Sequence, residues 1–350
     1  MLVENNANHF KYKLRLETWS PVHIGSGKKL TRWEYYIDIN KKMLYYLDYN
    51  KLADVAVKEP QFIDNLTKEA SGNDNKASLN TFLDRVPNKK NQILGLSRSF
   101  NLQTNKVREL NLLVGSPRPY LPGSSIKGAL RTAFLVNHIN DKQLSLPKDI
   151  IDASAEIKNT FKIGSKHNAL FNNLIIHDSP FIHTESIVIG AIRLFASKKN
   201  NNASQHDLFC EVIDSQFETT IEVIDKRKQS TGIKEILEFA DKFYREVWKQ
   251  EVVNRQKTKD NDLLDYYDNE DFVVPNDKYL LRIGFGSGQL ATSILMEYKK
   301  LHKDDSNLRV GPTYRNNYDL KKRDPYPYTA KAVSIEGVYD PFGWVVVDKW

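Results

Sequence analysis

Residues 117–131 read PRPYLPGSSIKGALR, and this stretch decides the fold class. Pro117, Pro119 and Pro122 cannot occupy a helix interior, because each lacks an N–H and collides with the preceding turn. The Pro122-Gly123 turn then delivers the chain to Ser124 and Ser125, either of which can cap a helix. Ile126, Ala129, Leu130, Ala133 and Phe134 follow at the spacing of one helical face. Strand patterns lie on both sides of this junction. Upstream, 10–18 (FKYKLRLET) alternates polar and apolar residues, and 34–39 and 43–47 read as strands around a turn at 40–42. Two short helices are expected at 51–58 and 60–68, then a loop at 71–76 and an irregular basic stretch at 87–107. Downstream, 140–170 reads as a helix-and-loop insertion, 186–196 (SIVIGAIRLFA) as a strand and 197–205 (SKKNNNASQ) as a connector. A strand pair is expected at 207–213 and 217–224, and a helix at 233–253. The acidic run 260–271 is expected to be a loop. Then come a strand at 278–285, a helix at 289–299, and a terminal strand pair at 332–339 and 344–348 around Pro341-Phe342-Gly343. Each half thus runs strands, helix, strands. The expectation is an α+β protein of two ferredoxin-like, RRM-like domains with antiparallel sheets and helical insertions. The units expected are 1–196 and 206–350, the second carrying a glycine-rich loop.

Composition narrows the function. The chain has 350 residues, 40% hydrophobic and 11% aromatic, enough for a substantial core. No apolar run reaches the roughly 18–20 residues of a membrane span, and the first residues lack a signal pattern. Cys210 is the sole cysteine, which excludes a disulfide framework or a multi-cysteine metal site within one chain and fits a reducing, cytoplasmic location. The net charge of +7 is unevenly spread. Residues 85–131 hold nine Lys/Arg against one acid, Glu109, and 299–331 hold nine against four, whereas 260–271 carry six acids and no base. Two basic zones fit a polyanionic ligand; they equally fit solvated loops.

Three segments carry candidate chemistry. In 121–131, the first-turn amides of the helix, Ser124, Ser125, Lys127 and Arg131 fit a phosphate; the same residues fit a capped amphipathic helix. Gly284-Phe285-Gly286-Ser287-Gly288 follows a strand and precedes a helix, but it is G-x-G-x-G. It matches neither a dinucleotide fingerprint nor a P-loop, so it reads as a turn whose amides can approach a sugar–phosphate chain. His23-Ile24-Gly25-Ser26-Gly27-Lys28-Lys29 places an imidazole beside a flexible turn and two lysines, suited to nucleotide contact or to general-base cleavage of RNA. The doublets Tyr35-Tyr36, Tyr45-Tyr46 and Tyr266-Tyr267 each offer one ring for base stacking if they lie on strands. No catalytic elbow and no paired-histidine metal motif occurs, so neither a metal nor a cofactor is expected.

Taken together, W-S-P-V-H-I-G-S-G (19–27), Y-L-P-G-S-S-I-K-G-A-L-R (120–131), L-R-I-G-F-G-S-G (281–288) and D-P-F-G-W-V (340–345) resemble the RAMP superfamily of CRISPR proteins. The pattern is most similar to the RAMP subunits that cap the backbone filament of type III-A Csm complexes at the crRNA 3′ end. The resemblance implies RRM-like domains, a non-catalytic role in holding single-stranded crRNA and in its maturation for antiviral defence, and assembly beside a backbone RAMP protein and small helical subunits. It implies RNA contact at Ser124, Ser125, Lys127, Arg131, Gly284, Gly286, Gly288, His23, Gly25 and Ser26. The alternatives are a metal-independent endoribonuclease using His23 as general base, with a lysine such as Lys28 stabilising charge, and the subunit that binds the crRNA 5′ tag.

Overall fold

In a computed structural model of the chain, the structure describes residues 2–6, 9–72, 76–102, 107, 109–141, 173–195, 208–224, 232–258, 261–268, 274–294, 297, 300 and 330–349. The strands are β1 (Leu2–Asn6), β2 (His9–Thr18), β3 (Gly25–Thr31), β4 (Tyr35–Asp38), β5 (Met43–Leu47), β6 (Leu94–Ser99), β7 (Glu109–Leu113), β8 (Leu174–Ile176), β9 (Ile187–Phe195), β10 (Leu208–Ile213), β11 (Gln216–Ile224), β12 (Lys278–Arg282), β13 (Ala330–Ile335), β14 (Val338–Pro341) and β15 (Trp344–Asp348). The helices are α1 (Tyr49–Lys58), α2 (Pro60–Ala70), α3 (Leu79–Leu83), α4 (Lys90–Ile93), α5 (Gly123–Asp141), α6 (Gly232–Thr258), α7 (Asn261–Asp268) and α8 (Gly288–Thr292).

The α+β expectation holds, with sheets that are mostly antiparallel. In the first sheet, β15-β2-β11-β8 run antiparallel to their neighbours, and β12 is added outside β15. Read along the chain, β2-α5-β8-β11-α6-β15 is one β-α-β-β-α-β unit of ferredoxin-like order. Its helices lie on one face because their apolar stripes require it: Ile126, Leu130 and Ala133 of α5 and Ile236, Leu237, Ala240 and Tyr244 of α6 join Leu14, Leu16, Ile221 and Val345 in one core. The opposite face of β2 and β11 is a charge lattice. Lys11 meets Glu222 at 3.1 Å and Lys13 meets Glu218 at 2.7 Å. The second sheet runs β3-β7-β10-β9-β6-β5-β4, with β13 on β9 and β14 on β13; β7–β10 and β6–β9 are its parallel contacts.

Several expectations are corrected. Both sheets take strands from either side of 197–205, so they do not correspond to units 1–196 and 206–350. The strands expected at 207–213 and 217–224 exist but do not pair; the chain changes sheet at Asp214-Ser215, where Thr18 Oγ1 donates to Asp214 and receives the Ser215 N–H. Likewise β13 pairs with β14 in the second sheet, while β15 joins the first. The stretch 87–107 contains α4 and β6. Within the acidic run, Asn261–Asp268 form α7, because Leu263, Tyr266 and Tyr267 recur at helical spacing and are buried. Of the helix expected at 289–299, α8 accounts for the start. The connector 197–205 and most of the 140–170 insertion fall outside the described residues.

At the line where the chain changes sheet, burial and the nearby Asp214 push the Asp340 carboxyl up to about 6. A carboxyl raised on folding favours the protonated fold, so its contribution is full near pH 4 and is lost as pH rises through 6. Asp340→Asn is expected to gain roughly 1–3 kcal/mol over the native chain at pH 8 and little at pH 4. Urea unfolding at the two pH values measures this, and an equal shift at both would refute it.

Candidate nucleic-acid interface

The segment 19–24 leaves the first sheet and threads between the two sheets. Trp19 and Ser20 amides donate to Trp344 O at 2.8 and 3.1 Å, Val22 and Ile213 exchange backbone bonds, and the Gly343 amide donates to Pro21 O at 3.0 Å. The glycine-rich loop closes on the same line: Phe285 N–H donates to His23 O and Ile283 N–H to Gly343 O, each at 2.8 Å. Gly284 and Gly286 have φ of 80° and 78°, left-handed values that suit glycine. Space demands it too. An added Cβ on Gly284 would lie 2.6 Å from His23 O, and one on Gly286 2.5 Å from the Phe342 ring. Three of the four sequence motifs therefore converge on one seam.

Beside this seam lies a groove of about 660 Å³ lined by His23, Gly25, Gly27, Lys28, Lys29, Asn111, Leu112, Ile192, Leu194, Leu208, Phe285 and Lys331. The period of the strands builds its floor: Lys331 pairs with Leu194 and Val333 with Ile192, so these side chains share a face. Lys331 Nζ sits 4.3 Å from the Phe285 ring centroid, and Phe285 meets the His23 ring edge-on at 5.7 Å. Lys28 and Lys29 are exposed, and Lys29 pairs directly with the exposed Glu109 at 2.7 Å. Ser26 is exposed and donates to Leu112 O.

His23 is buried, and its Nδ1 lies 2.7 Å from Glu211 O. Burial pulls its basicity below the usual imidazole value, while the Glu211 carbonyl contact and the Glu211 charge act the other way. Glu211 is itself immobilised. Its carboxylate receives Arg98 Nε at 3.2 Å, Tyr46 OH at 2.7 Å, Leu113 N–H at 2.9 Å and Ser116 OH at 3.3 Å. The neighbouring Cys210 is fully buried, and burial pushes its thiol up, so it is no nucleophile.

The fourth motif lies elsewhere. Ser124 and Ser125 fall inside the first turn of α5 rather than at its cap, since the helix begins at Gly123. The Gly123 amide donates to Asp178 Oδ1 at 2.8 Å, a cap supplied by a residue far along the chain. Lys127 Nζ donates to Leu174 O at 2.7 Å, tying α5 to β8. Arg131 and Ser124 are exposed. The basic window 85–131 is largely consumed by the fold: Arg85 pairs with Glu69, Lys89 with Glu59, Lys90 with Asp84, and Arg98 with Glu211. The tyrosine doublets also serve the core. Tyr35, Tyr36, Tyr266 and Tyr267 are buried, Tyr46 bonds Glu211, and Tyr45 is half-buried against the α1–α3 cluster. Sequence reasoning missed Phe285 and Lys331 as groove residues. Lys331 ends the second basic zone, but only the strand register reveals that it faces Phe285. No helix among the described residues is long and apolar enough to cross a membrane, and no three His, Cys, Asp or Glu side chains among them gather as a metal site.

Residues 15–291 match the family model of the RAMP superfamily. A Streptococcus thermophilus protein named CRISPR system Cms protein Csm5 is 27% identical over 256 residues, covering 67% of this chain and 70% of that one. A Methanocaldococcus jannaschii protein of the same name is 24% identical, covering 84% and 75%. Among solved structures, a chain of a Csm-crRNA-target RNA ternary complex of a type III-A CRISPR-Cas system superposes with a TM-score of 0.64 at 18% identity, covering 96% of this chain and 100% of that one. T. onnurineus Csm5 superposes with a TM-score of 0.63 at 16% identity, covering 95% and 99%.

Gly284→Ala is expected to destabilise the fold by roughly 1–3 kcal/mol, from its left-handed backbone and its approach to His23 O. Gly128→Ala, with nothing within 4 Å of the added carbon, is the control expected to be neutral or mildly stabilising. Denaturant midpoints compare the two, and equal midpoints would contradict the close-packed seam.

Proposed function

The chain belongs to the RAMP superfamily, and we propose that it is a crRNA-binding, non-catalytic structural subunit of a type III-A CRISPR Csm interference complex. In this reading it caps the backbone filament at the crRNA 3′ end, beside a backbone RAMP protein and small helical subunits, and contributes to crRNA maturation in the cytoplasm. The observation that carries the proposal is the groove, where Lys28, Lys29 and Lys331 surround an apolar floor containing Phe285. Cations over a partly aromatic surface suit a single strand whose sequence varies, because phosphates and sugars are common to every guide. The names of the curated relatives and the likeness to a chain from a Csm–crRNA particle support the same assignment.

Within this reading the RNA contacts are His23, Gly25 and Ser26 at the groove, with the Gly284, Gly286 and Gly288 loop presenting Phe285. Ser124, Ser125 and Arg131, at the start of α5, form a second contact. Lys127 belongs to the fold, given its bond to Leu174 O. His23 is suited to accept a hydrogen bond from RNA, and we assign it no proton-transfer step.

Affinity purification of the tagged chain is expected to recover crRNA together with other subunits, with crosslinks to this chain at the 3′ end. Crosslinks at the 5′ tag would move it to the sister position. Lys28→Ala with Lys331→Ala is expected to weaken retention of unrelated guides alike and to reduce the salt slope by roughly 0.7 per lost contact. A loss confined to one guide sequence would argue against backbone binding. Repeat RNA incubated with the pure protein in EDTA is expected to stay intact; specific cleavage abolished by His23→Ala would establish the endoribonuclease instead.

A further inference from the structure

We propose that the groove reads the ribose 2′-hydroxyl through His23 Nε2, which makes this side chain the element that separates RNA from DNA at the site. The inference deepens the RNA-binding reading above and rests on it.

The argument begins with the tautomer. His23 Nδ1 lies 2.7 Å from Glu211 O, and a carbonyl oxygen can only accept, so Nδ1 carries the hydrogen. In the neutral ring Nε2 then holds a bare lone pair. Burial favours that neutral ring. His23 is 4% exposed and lines the groove, and no described residue donates to Nε2. Nε2 is not among the fully buried polar atoms left without a partner, so it opens on the groove, where a ligand hydroxyl can take the place of solvent as its donor.

The surroundings indicate which ligand. Gly25 keeps the imidazole edge open, since a Cβ there would lie 2.9 Å from Nε2, 3.7 Å from Cδ2 and 3.8 Å from Cε1. Gly25 is exposed and outside the left-handed region, so its backbone does not demand glycine; the space beside His23 does. The charged lining is Lys28, Lys29 and Lys331, all cationic, with Lys29 paired to Glu109. The ligand must therefore be an anion with a hydrogen-bond donor close to its negative charge. In a polynucleotide the 2′-hydroxyl is such a donor on the sugar itself, present in RNA, absent in DNA and independent of base. The buried Arg98–Glu211 pair acts one step behind as a positioning device, because it anchors the residue whose carbonyl sets the His23 tautomer.

The test is fluorescence anisotropy on the full chain with fluorescein-labelled oligouridine, 2′-fluoro-oligouridine and oligodeoxyuridine. The fluoro strand keeps an RNA-like sugar but has no donor at the 2′ position. The native protein is expected to bind the ribo strand about 3- to 10-fold more tightly than either other strand, the worth of one hydrogen bond. Gly25→Ala and His23→Phe are expected to bring that ratio close to one. Lys331→Ala should weaken all three strands alike. Gly25→Ala changes an exposed residue, so the test stays decisive if His23→Phe fails to fold. Equal binding of ribo and fluoro strands by the native protein would overturn the inference, as would variants that weaken the deoxy strand as much as the ribo strand; both outcomes leave the groove a nucleic-acid site. A preference for one base lost in Gly25→Ala would mean that His23 reads a base, which also overturns it. Failure of the native protein to bind any of the three would instead remove the RNA-binding reading.

Discussion

Everything distinctive in this molecule depends on backbone meeting backbone at the seam between the sheets. Gly343 approaches Ile283 so closely that a Cβ would lie 2.1 Å from its carbonyl oxygen, and Gly284 stands in the same relation to His23 at 2.6 Å. Such contacts exclude side chains and leave direct hydrogen bonds between main chains. They let the chain change sheet within a few residues at 19–24 and 341–343 without abandoning buried amides, while the Thr18 hydroxyl serves the crossing at 214–215. The ferredoxin-like unit is thereby fastened to the second sheet, and Phe285 and Phe342 are pressed onto its Cys210, Val212 and Val333 face. The groove is the outer mouth of that joint. Its shape follows from the seam, and its chemistry from the residues the seam happens to present.

Charge illustrates the difference between composition and availability. A window with a large positive excess looks like a polyanion site, yet four of its cations are committed to carboxylates and Lys127 to a strand carbonyl. The outer face of the ferredoxin-like sheet, where RRM proteins expose aromatic rings to RNA, is filled instead by lysine–glutamate pairs across β2 and β11. Exposed lysines over apolar residues lie instead at the edge between the sheets, where Lys28, Lys29 and Lys331 line the groove.

The elements that were legible in the sequence are those with strong local periodicity: β2, β9, α5 and α6 bury the residues their patterns nominate. The pairing of strands was not legible, because the period of a strand reports which residues share a face and says nothing of which neighbour they meet. Thus β10 and β11, adjacent in sequence with a two-residue link, look like a hairpin and are not one. The α7 helix was hidden by its acids, although Leu263, Tyr266 and Tyr267 kept helical spacing. In the site, the glycine motifs were visible as turns, but their partners were long-range. The Asp178 cap of α5 and the Glu211 support of His23 leave no trace at helical or strand spacing, and so neither the commitment of the Gly123 amide and Lys127 nor the juxtaposition of Phe285 and Lys331 was legible.

The Arg98–Glu211 pair explains why a buried charge is tolerated here. Both side chains are fully enclosed, and desolvating them removes most of what their attraction returns, so the pair is poor evidence of stability by itself. Its geometry is more telling. The Glu211 carboxylate binds the Leu113 amide at the end of β7, the Ser116 hydroxyl in the following turn and the Tyr46 hydroxyl from β5, while its carbonyl receives His23. One residue thus ties three strands and a turn to the imidazole. An apolar replacement of similar volume would fill the same space and keep the main-chain carbonyl that meets His23, yet it would offer no acceptor to the Leu113, Ser116, Tyr46 and Arg98 donors that fix that carbonyl in place. The ion pair therefore contributes orientation, and orientation is what a groove needs in order to present a single lone pair, in one direction, to a passing sugar.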